Sequence, residues 1–482
     1  MSLRRVAAAV GLLQLAVGFA MTLAAAVAAL YGGKDAGGIA LAALVTLAAG
    51  AALSRANRVK GGLTHREGYA VVALAWGLAA LLGTLPYVLT GTLPPFHALF
   101  ESMSGITATG ATVIGDVESL PKGVLFWRAI SQWLGGMGII VLLVAVLGHL
   151  GAGSVRLFSV EAAGPTPERI KPRITQTAKL LWLVYLGLTA SHFLLLLAGG
   201  LNAFDAIAHA FTTVATGGFS TNNLSVGGFG SAYVEWVTTF FMFCGGVNLA
   251  LHFRAATGKP VYLKSSEWRV FTVLAVGTGL LIAALRIGGG AETGEAVRQS
   301  LFQSVAIITT TGYAAGDYET WGAGAQMLLF MLFLVGGMVG STSGGVKVQR
   351  VMVLAKHAGN QLRRLLHPKA VLFPRIDNKP VNEDILAAVT GFIVLFGAIL
   401  LLGAVALATM GIDPLTAIAA SAATVGNVGP GFGEVGAVDN YGWMPAPALA
   451  LLSFLMLVGR LEVFTVLLLF HPDMWKGLRV RR

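Results

Sequence analysis

The sequence predicts an all-α membrane fold, with two leading transmembrane helices and then four tandem repeats of helix, re-entrant loop and helix about a pseudo-fourfold axis. Three observations predict it. Hydrophobic residues make up 56% of the 482 residues and charged residues only 11%, where a soluble domain carries about 25% charged residues. Apolar runs close to the roughly 20 residues needed to cross a bilayer recur along the whole chain. A turn rich in Thr and Gly follows a short apolar run in four places, at intervals of roughly one hundred residues, which marks four copies of one unit.

The leading runs are 6–31 and 37–54. Arg4 and Arg5 precede the first, and Ala24 to Ala29 resembles a cleavage region. The run from Val6 to Tyr31 nevertheless exceeds the usual 7–15-residue apolar core of a signal peptide, so it is expected to stay as a span. The repeats occupy 69–177, 178–267, 268–383 and 384–482, after a leading segment 1–68. Their spans are 69–91 and 124–150, 178–199 and 231–252, 268–288 and 323–364, and 384–410 and 444–470. Between the spans of each pair lies a helix too short to cross, at 95–108, 203–215, 297–310 and 414–425. Pro94-Pro95, Asn202 and Asp413-Pro414 are helix-start residues.

Loop charge sets the orientation. Arg4, Arg5, Arg55, Arg58, Lys60 and Arg66 form one basic set. Arg156, Arg169, Lys171, Arg173, Arg254, Lys259 and Lys264 continue it, with Lys356, Arg363, Arg364, Lys369, Arg375 and the C-terminal Lys476 to Arg482. Alternate connections are acidic, with Asp116, Glu118, Asp205, Glu292, Glu295, Asp317, Glu319, Glu434 and Asp439. Both termini are therefore expected in the cytoplasm, and the four turns on the outer side. The net charge of +11 reflects topology and contact with membrane lipid. It is spread over several loops without a basic domain, which argues against nucleic-acid binding.

The turns are Thr107-Ala108-Thr109-Gly110, Val214-Ala215-Thr216-Gly217, Thr309-Thr310-Thr311-Gly312 and Gly426-Asn427-Val428-Gly429. One such turn alone reads as a helix-packing notch. Four on one side, each behind a short helix, read as a ring of backbone carbonyls that replaces a cation's hydration shell. The candidate ion ligands are Thr109, Gly110, Thr216, Gly217, Thr311, Gly312, Val428 and Gly429. Glycine tolerates positive φ and leaves no side chain in the path. The short helices would direct their partly negative carboxyl ends at the ion, and re-entrant backbone is tolerated at that depth only when shielded by protein or water.

Glycines crowd the segment 336–345, and each costs about 1 kcal/mol against alanine in a helix. The span 323–364 should therefore break there. Arg460 lies in an apolar run, which is expensive and usually functional. It either pairs with Glu462 or stands under the turns, where its charge would repel a passing cation. Glu101, His209 and Gln303 in the short helices read as packing polar groups. The single Cys244 has no disulfide partner in the chain. No phosphate-binding loop, paired-His metal helix or G-x-S-x-G turn is present, so the chain is not expected to be an enzyme or to carry an organic cofactor.

These motifs, together with Trp127-Arg128, Gln132-Trp133-Leu134-Gly135-Gly136-Met137-Gly138-Ile139, Pro172-Arg173-Ile174, Gly217-Gly218-Phe219-Ser220-Thr221, Gly337 to Lys347, Gly429-Pro430-Gly431 and Gly459-Arg460-Leu461-Glu462, make the chain similar to the Trk/Ktr/HKT superfamily of potassium transporters, TrkH type. The two leading helices favour that type over KtrB, and Ser343 stands where the family usually has glycine. The resemblance implies a homodimer and a selectivity filter holding potassium at Gly110, Gly217, Gly312 and Gly429. It also implies a place in the cytoplasmic (inner) membrane and a cytoplasmic regulatory ring of TrkA-type nucleotide-binding subunits. It implies a gate formed by Gly337, Gly340, Ser341, Thr342, Ser343, Gly344 and Gly345, with Lys347 and Arg460. Relatives that pass sodium often carry serine at the first filter glycine, so Gly110 points to potassium. A proton- or sodium-coupled cation symporter with sites on broken helices is the competing class.

Overall fold

The computed structural model describes residues 2–55, 63–138, 174–370 and 372–476. The architecture is all-α. Among the described residues, six helices are long and apolar enough to cross a membrane, or up to eight if each of two sharply bent pairs is one span. The second half of the run 124–150 and the basic residues Arg58, Lys60, Arg156, Arg169, Lys171, Arg173, Arg479, Arg481 and Arg482 lie outside the described residues.

Helices Leu3–Leu30 and Ala36–Arg55 pack along each other, and the first also packs on His65–Leu82 and Lys122–Gly136. Glu67 ties the start of the first helix to the start of the third. It closes a capping box with Thr64, accepts from the Ser2 amide at 2.7 Å and pairs with Arg5 at 2.7 Å.

The four short helices are Pro95–Ile106, Ala203–Val214, Thr293–Ile308 and Pro414–Val425. Their starts follow local chemistry. Proline occupies the first turn of the first and fourth, where no amide hydrogen is needed. Asn202 accepts from the Asp205 amide at 2.9 Å, and Asp413 from Thr416 at 3.1 Å. The third starts four residues earlier than sequence spacing predicted, because Glu292 caps the amides of Gly294 and Glu295 at 2.8 and 2.6 Å.

Each short helix packs on its own repeat's first span, and the first three also pack on the second span of the repeat that precedes them around the ring. Ala203–Val214 lies on Lys122–Gly136, Thr293–Ile308 on Ala232–Gly246, and Pro95–Ile106 on Ala446–Arg460. Between the third and fourth repeats the contact is aromatic, Phe330 and Phe333 against Phe432 at 6.0 and 5.8 Å. The repeats thus follow one another around an axis and close on themselves.

Three spans break. Ala323–Phe333 ends at the predicted glycine cluster, and the chain resumes helical form at Val348–Leu366. Ala232–Gly246 and Leu249–Ala256 meet at 103°, and Ala446–Arg460 and Phe464–Phe470 at 116°. Apolar periodicity ran through both of those bends. At the first, Met338 and Thr342 of the repeat-three break donate their amides to Gly246 O and Gly245 O at 2.9 and 3.3 Å, and Asn248 caps the next helix. At the second, Glu462 and Val463 take positive φ of 55° and 35°. A two-residue hairpin pairs Arg375 with Pro380 and Ile376 with Lys379 through Asp377 and Asn378, both at positive φ, as a type I′ turn requires.

Candidate functional site

The four turns share one backbone signature. Each short helix ends on a right-handed cap, at Thr107, Ala215, Thr309 and Gly426. The next residue is left-handed: Ala108 (φ 51°), Thr216 (52°), Thr310 (57°) and Asn427 (53°). Two residues later comes a positive-φ glycine, Gly110 (90°), Gly218 (80°), Gly312 (73°) or Gly429 (104°). This corrects the register of the second turn by one residue. The glycine equivalent to Gly110 is Gly218, and Gly217 occupies the place of Thr109, Thr311 and Val428. The Thr-x-x-Gly spacing misled because two glycines are adjacent there, and only where the helix ends decides between them.

The turn amides fold back onto their own helices. Thr109 N reaches Ser104 O at 2.9 Å, Gly217 N Thr212 O at 2.8 Å, Thr311 N Ala306 O at 2.8 Å and Val428 N Ala423 O at 2.8 Å. These bonds satisfy carbonyls that a helix end otherwise leaves open. The turn carbonyls are treated differently. Among the described residues, no protein donor meets the oxygens of Thr109, Gly110, Thr311, Gly312, Asn427 or Val428. Buried carbonyls without a donor are rare, and here they are grouped.

The turns also touch in cyclic order. A Cβ on Gly110 would overlap Gly217 O, one on Gly218 would overlap Thr311 O, and one on Gly312 would overlap Val428 O; one on Gly429 would come within 2.7 Å of Thr109 O. Repeat one meets two, two meets three, three meets four and four meets one. Above this ring opens a cavity of about 90 Å³ that includes Gly110, Gly218, Gly312 and Asp439. Below lies one of about 160 Å³, lined by Gly136, Val339 to Gly345, Lys347 and Arg460.

Glu101, His209 and Gln303 prove equivalent, each five residues before its helix end, and each braces the segment that follows the turn. Glu101 accepts from Val113 N at 3.0 Å and from Arg128 Nε at 2.8 Å. His209 donates from Nδ1 to Asp205 O at 2.8 Å, leaving Nε2 to accept from the Ser220 hydroxyl at 3.0 Å. Gln303 donates to Tyr313 O at 3.2 Å. The fourth repeat has Ala420 there, and tyrosines substitute: Tyr441 donates to Gly429 O at 2.8 Å and Tyr318 to Gly431 O at 2.6 Å. Gln132 clamps the second turn, donating to Gly217 O at 2.7 Å and accepting from Phe219 N at 3.0 Å. Arg128 stacks over Phe219, 4.1 Å from its ring centre. Sequence reasoning named the Gln132 and Arg128 motifs without giving them a role. A polar side chain in the run 124–150 was the available signal; the tyrosines offered none.

The glycine-rich break sits directly beneath the ring. Thr342 donates to Val214 O at 3.0 Å or Gly245 O at 3.1 Å, and its hydroxyl lies 3.3 Å from that of Thr216. Gly344 N donates to Thr310 Oγ1 at 2.7 Å. A Cβ on Gly344 would come within 2.6 Å of Gly426 O and 2.8 Å of Asn427 Cβ. Arg460 fastens the same segment to repeat one, donating to Thr342 O at 2.9 Å, Gly135 O at 2.7 Å and Gly136 O at 3.2 Å. Lys347, at φ 79°, donates to Ser343 O. Ser341 and Ser343 join their hydroxyls at 2.6 Å, and Gly340 O accepts from Leu249 N at 3.1 Å. A Cβ on Gly337 would come within 2.9 Å of Gly246 O, and Gly345 takes positive φ. Glu462, the carboxylate nearest Arg460 in sequence, pairs with Arg350 at 2.5 Å. Cys244 is buried and free, and no group of three metal-ligating side chains occurs among the described residues.

The family profile TrkH, described as cation transport protein, matches residues 38–476. The chain is 38% identical over 483 residues to the Trk system potassium uptake protein TrkH of Halomonas elongata, covering 99% of this chain and all of that one. It is 38% identical over 489 residues to the protein of the same name from Escherichia coli K12, again covering 99% of this chain and all of the other. The crystal structure of the potassium transporter TrkH from Vibrio parahaemolyticus superposes with a TM-score of 0.89 at 36% identity, over 99% of this chain and 100% of that one.

Proposed function

This chain belongs to the TrkH family of cation transport proteins, and from that premise we propose that it carries potassium across the cytoplasmic membrane through the ring of four turns. The observation that carries the reading is the closed ring itself. Its amides are spent on the short helices, and a cluster of buried carbonyls is left without protein donors. Such oxygens suit a dehydrated monovalent cation, which gives up water only for several oxygens at once. The short helices add the negative ends of their dipoles. Gly217 O and Gly429 O are already engaged by Gln132 and Tyr441, so these two hold the ring in shape and the remaining carbonyls meet the ion.

The segment 337–345 is the gate. It lies across the inner face of the ring and is tied to three turns. Arg460 both latches it through Thr342 O and brings a fixed positive charge under the path. At ~4 Å a like charge costs a cation about 1 kcal/mol in water and more in a narrow pore. Helix Val348–Leu366 leads from the gate to Arg363 and Arg364, and Lys356 ties it to Arg375 O at 2.7 Å. In this reading both termini are cytoplasmic and two copies assemble. A TrkA-type nucleotide-binding ring docks on the basic inner face and moves the gate through this helix. The ring acts by binding one gate position better than the other.

The test is uptake of radioactive rubidium into vesicles holding the purified protein, competed by potassium or sodium. Uptake blocked by potassium and hardly by sodium supports the reading. Absence of cation uptake, or equal competition by both ions, overturns it.

A further inference from the structure

Four non-glycine residues in the left-handed region at equivalent positions are unusual. For β-branched Thr216 and Thr310, φ of 52° and 57° is a strained conformation that persists only where the surroundings enforce it, and such strain clusters at functional sites. The strain puts these side chains against the gate segment. Gly344 N donates to Thr310 Oγ1 at 2.7 Å, and Thr342 Oγ1 lies 3.3 Å from Thr216 Oγ1. Asn427 uses its amide nitrogen for Thr109 Oγ1 and Met456 O, both at 2.9 Å. Its Oδ1 is buried and has no hydrogen-bond partner among the described residues. A Cβ on Gly344 would stand 3.2 Å from that oxygen. The fourth position, Ala108, contributes no oxygen.

We propose that Thr216 Oγ1, Thr310 Oγ1 and Asn427 Oδ1 form a further cation site at the inner end of the ring, which the Thr342–Gly344 segment covers, so that the Gly344 amide and the cation compete for Thr310 Oγ1. This rests on reading the turns as a cation path. Two hydroxyls and an amide oxygen, without a carboxylate, suit a dehydrated alkali cation and not a divalent one. The Gly344 amide hydrogen presents positive charge to Thr310 Oγ1, the role the cation takes once the segment moves. A ligand that binds only the uncovered arrangement shifts the equilibrium toward it. Potassium at the inner end therefore favours the open gate.

The test reads gate position separately from flux. Ser341 lines the lower cavity, and Cys244 is the single native cysteine. Ser341→Cys in a Cys244→Ala background gives one reporter thiol. Its rate of reaction with a water-soluble methanethiosulfonate is measured in potassium, rubidium, sodium and choline chloride at equal ionic strength. Potassium and rubidium should speed the reaction about fivefold over choline, the scale of one hydrogen bond's net contribution. The double substitution Thr310→Val with Asn427→Ala should remove that dependence, and Thr310→Ser should retain it. If the double variant does not elute as a single species, Thr216→Val carries the test, with the dependence expected to fall at least by half. A rate independent of the cation in the parent, or full dependence in the variant, overturns the inference. Rubidium uptake measured on the Cys244→Ala parent, whose gate segment is unaltered, separates the two layers. Uptake without cation-dependent labelling removes only the inner site, and loss of all uptake removes the filter reading with it.

Discussion

Gly110→Ser is the substitution on which the ring geometry makes its sharpest statement. Gly110 lies at φ 90°, and any Cβ there would overlap the Gly217 carbonyl oxygen, which Gln132 holds at 2.7 Å. A non-glycine residue in such a conformation costs of order 1–3 kcal/mol. Moving Gly217 O off Gln132 costs about 1 kcal/mol more. The total of about 2–4 kcal/mol has two outlets: lower overall stability, and displacement of two adjacent turns. If about 1.4 kcal/mol of it reappears as lost preference for the larger ion, selectivity falls about tenfold. The assay is rubidium uptake in vesicles competed by potassium and sodium, with Gly77→Ser as control. A Cβ on Gly77 meets nothing within 4 Å, so that variant should keep the parental ratio. A folded Gly110→Ser protein with the parental potassium-to-sodium ratio would refute the assignment of this turn to the ion path.

Register in the second turn is tested by comparing Gly218→Ser with Gly217→Ser. The first meets the Thr311 backbone at φ 80° and the second only the Gln132 side chain, so Gly218→Ser should disturb selectivity more, and the reverse order would restore the sequence-based register. Glu101→Ala should lower the thermal midpoint in detergent at a fixed scan rate, because it strands buried Arg128 at a cost of about 3–5 kcal/mol; an unchanged midpoint would mean the pair contributes nothing. Thr342→Ala removes the hydroxyl that donates to Val214 O or Gly245 O and accepts from Thr216 Oγ1, and rubidium uptake should rise; equal or reduced uptake in a folded variant counts against the gate. Charge reversal at Arg363 and Arg364 should weaken both docking of a nucleotide-binding ring and nucleotide control of uptake. Full nucleotide control in that variant would rule out transmission through Val348–Leu366.

The short helices were legible because their start signals are local. Pro95, Asn202 and Pro414 fix helix starts within a residue or two of the observed ones, since proline and asparagine act on their own backbone. The break after Phe333 was legible for the same reason, through glycine. The bend at Val247 was not, because its cause lies far along the chain: Gly245 and Gly246 lose helix bonding to Met338 and Thr342. Hydropathy sums over neighbours in sequence and is blind to such partners. The braces around the ring divide along the same line. Glu101, His209 and Gln303 stood out as polar residues in apolar helices, whereas Tyr318 reaches the fourth repeat from 113 residues away and Tyr441 acts from a loop with no helical pattern to mark it. Glu462 looked like a partner of Arg460 from two residues away, yet it binds Arg350 on the helix that follows the gate.

The central claim is that a cation sits within the ring of four turns. The direct measurement is anomalous scattering from crystals grown in rubidium or thallium. The account predicts peaks on the axis enclosed by Gly110, Gly218, Gly312 and Gly429, above the segment Thr342–Gly344. Ordered cation peaks elsewhere on the protein, with none inside that ring, would contradict it.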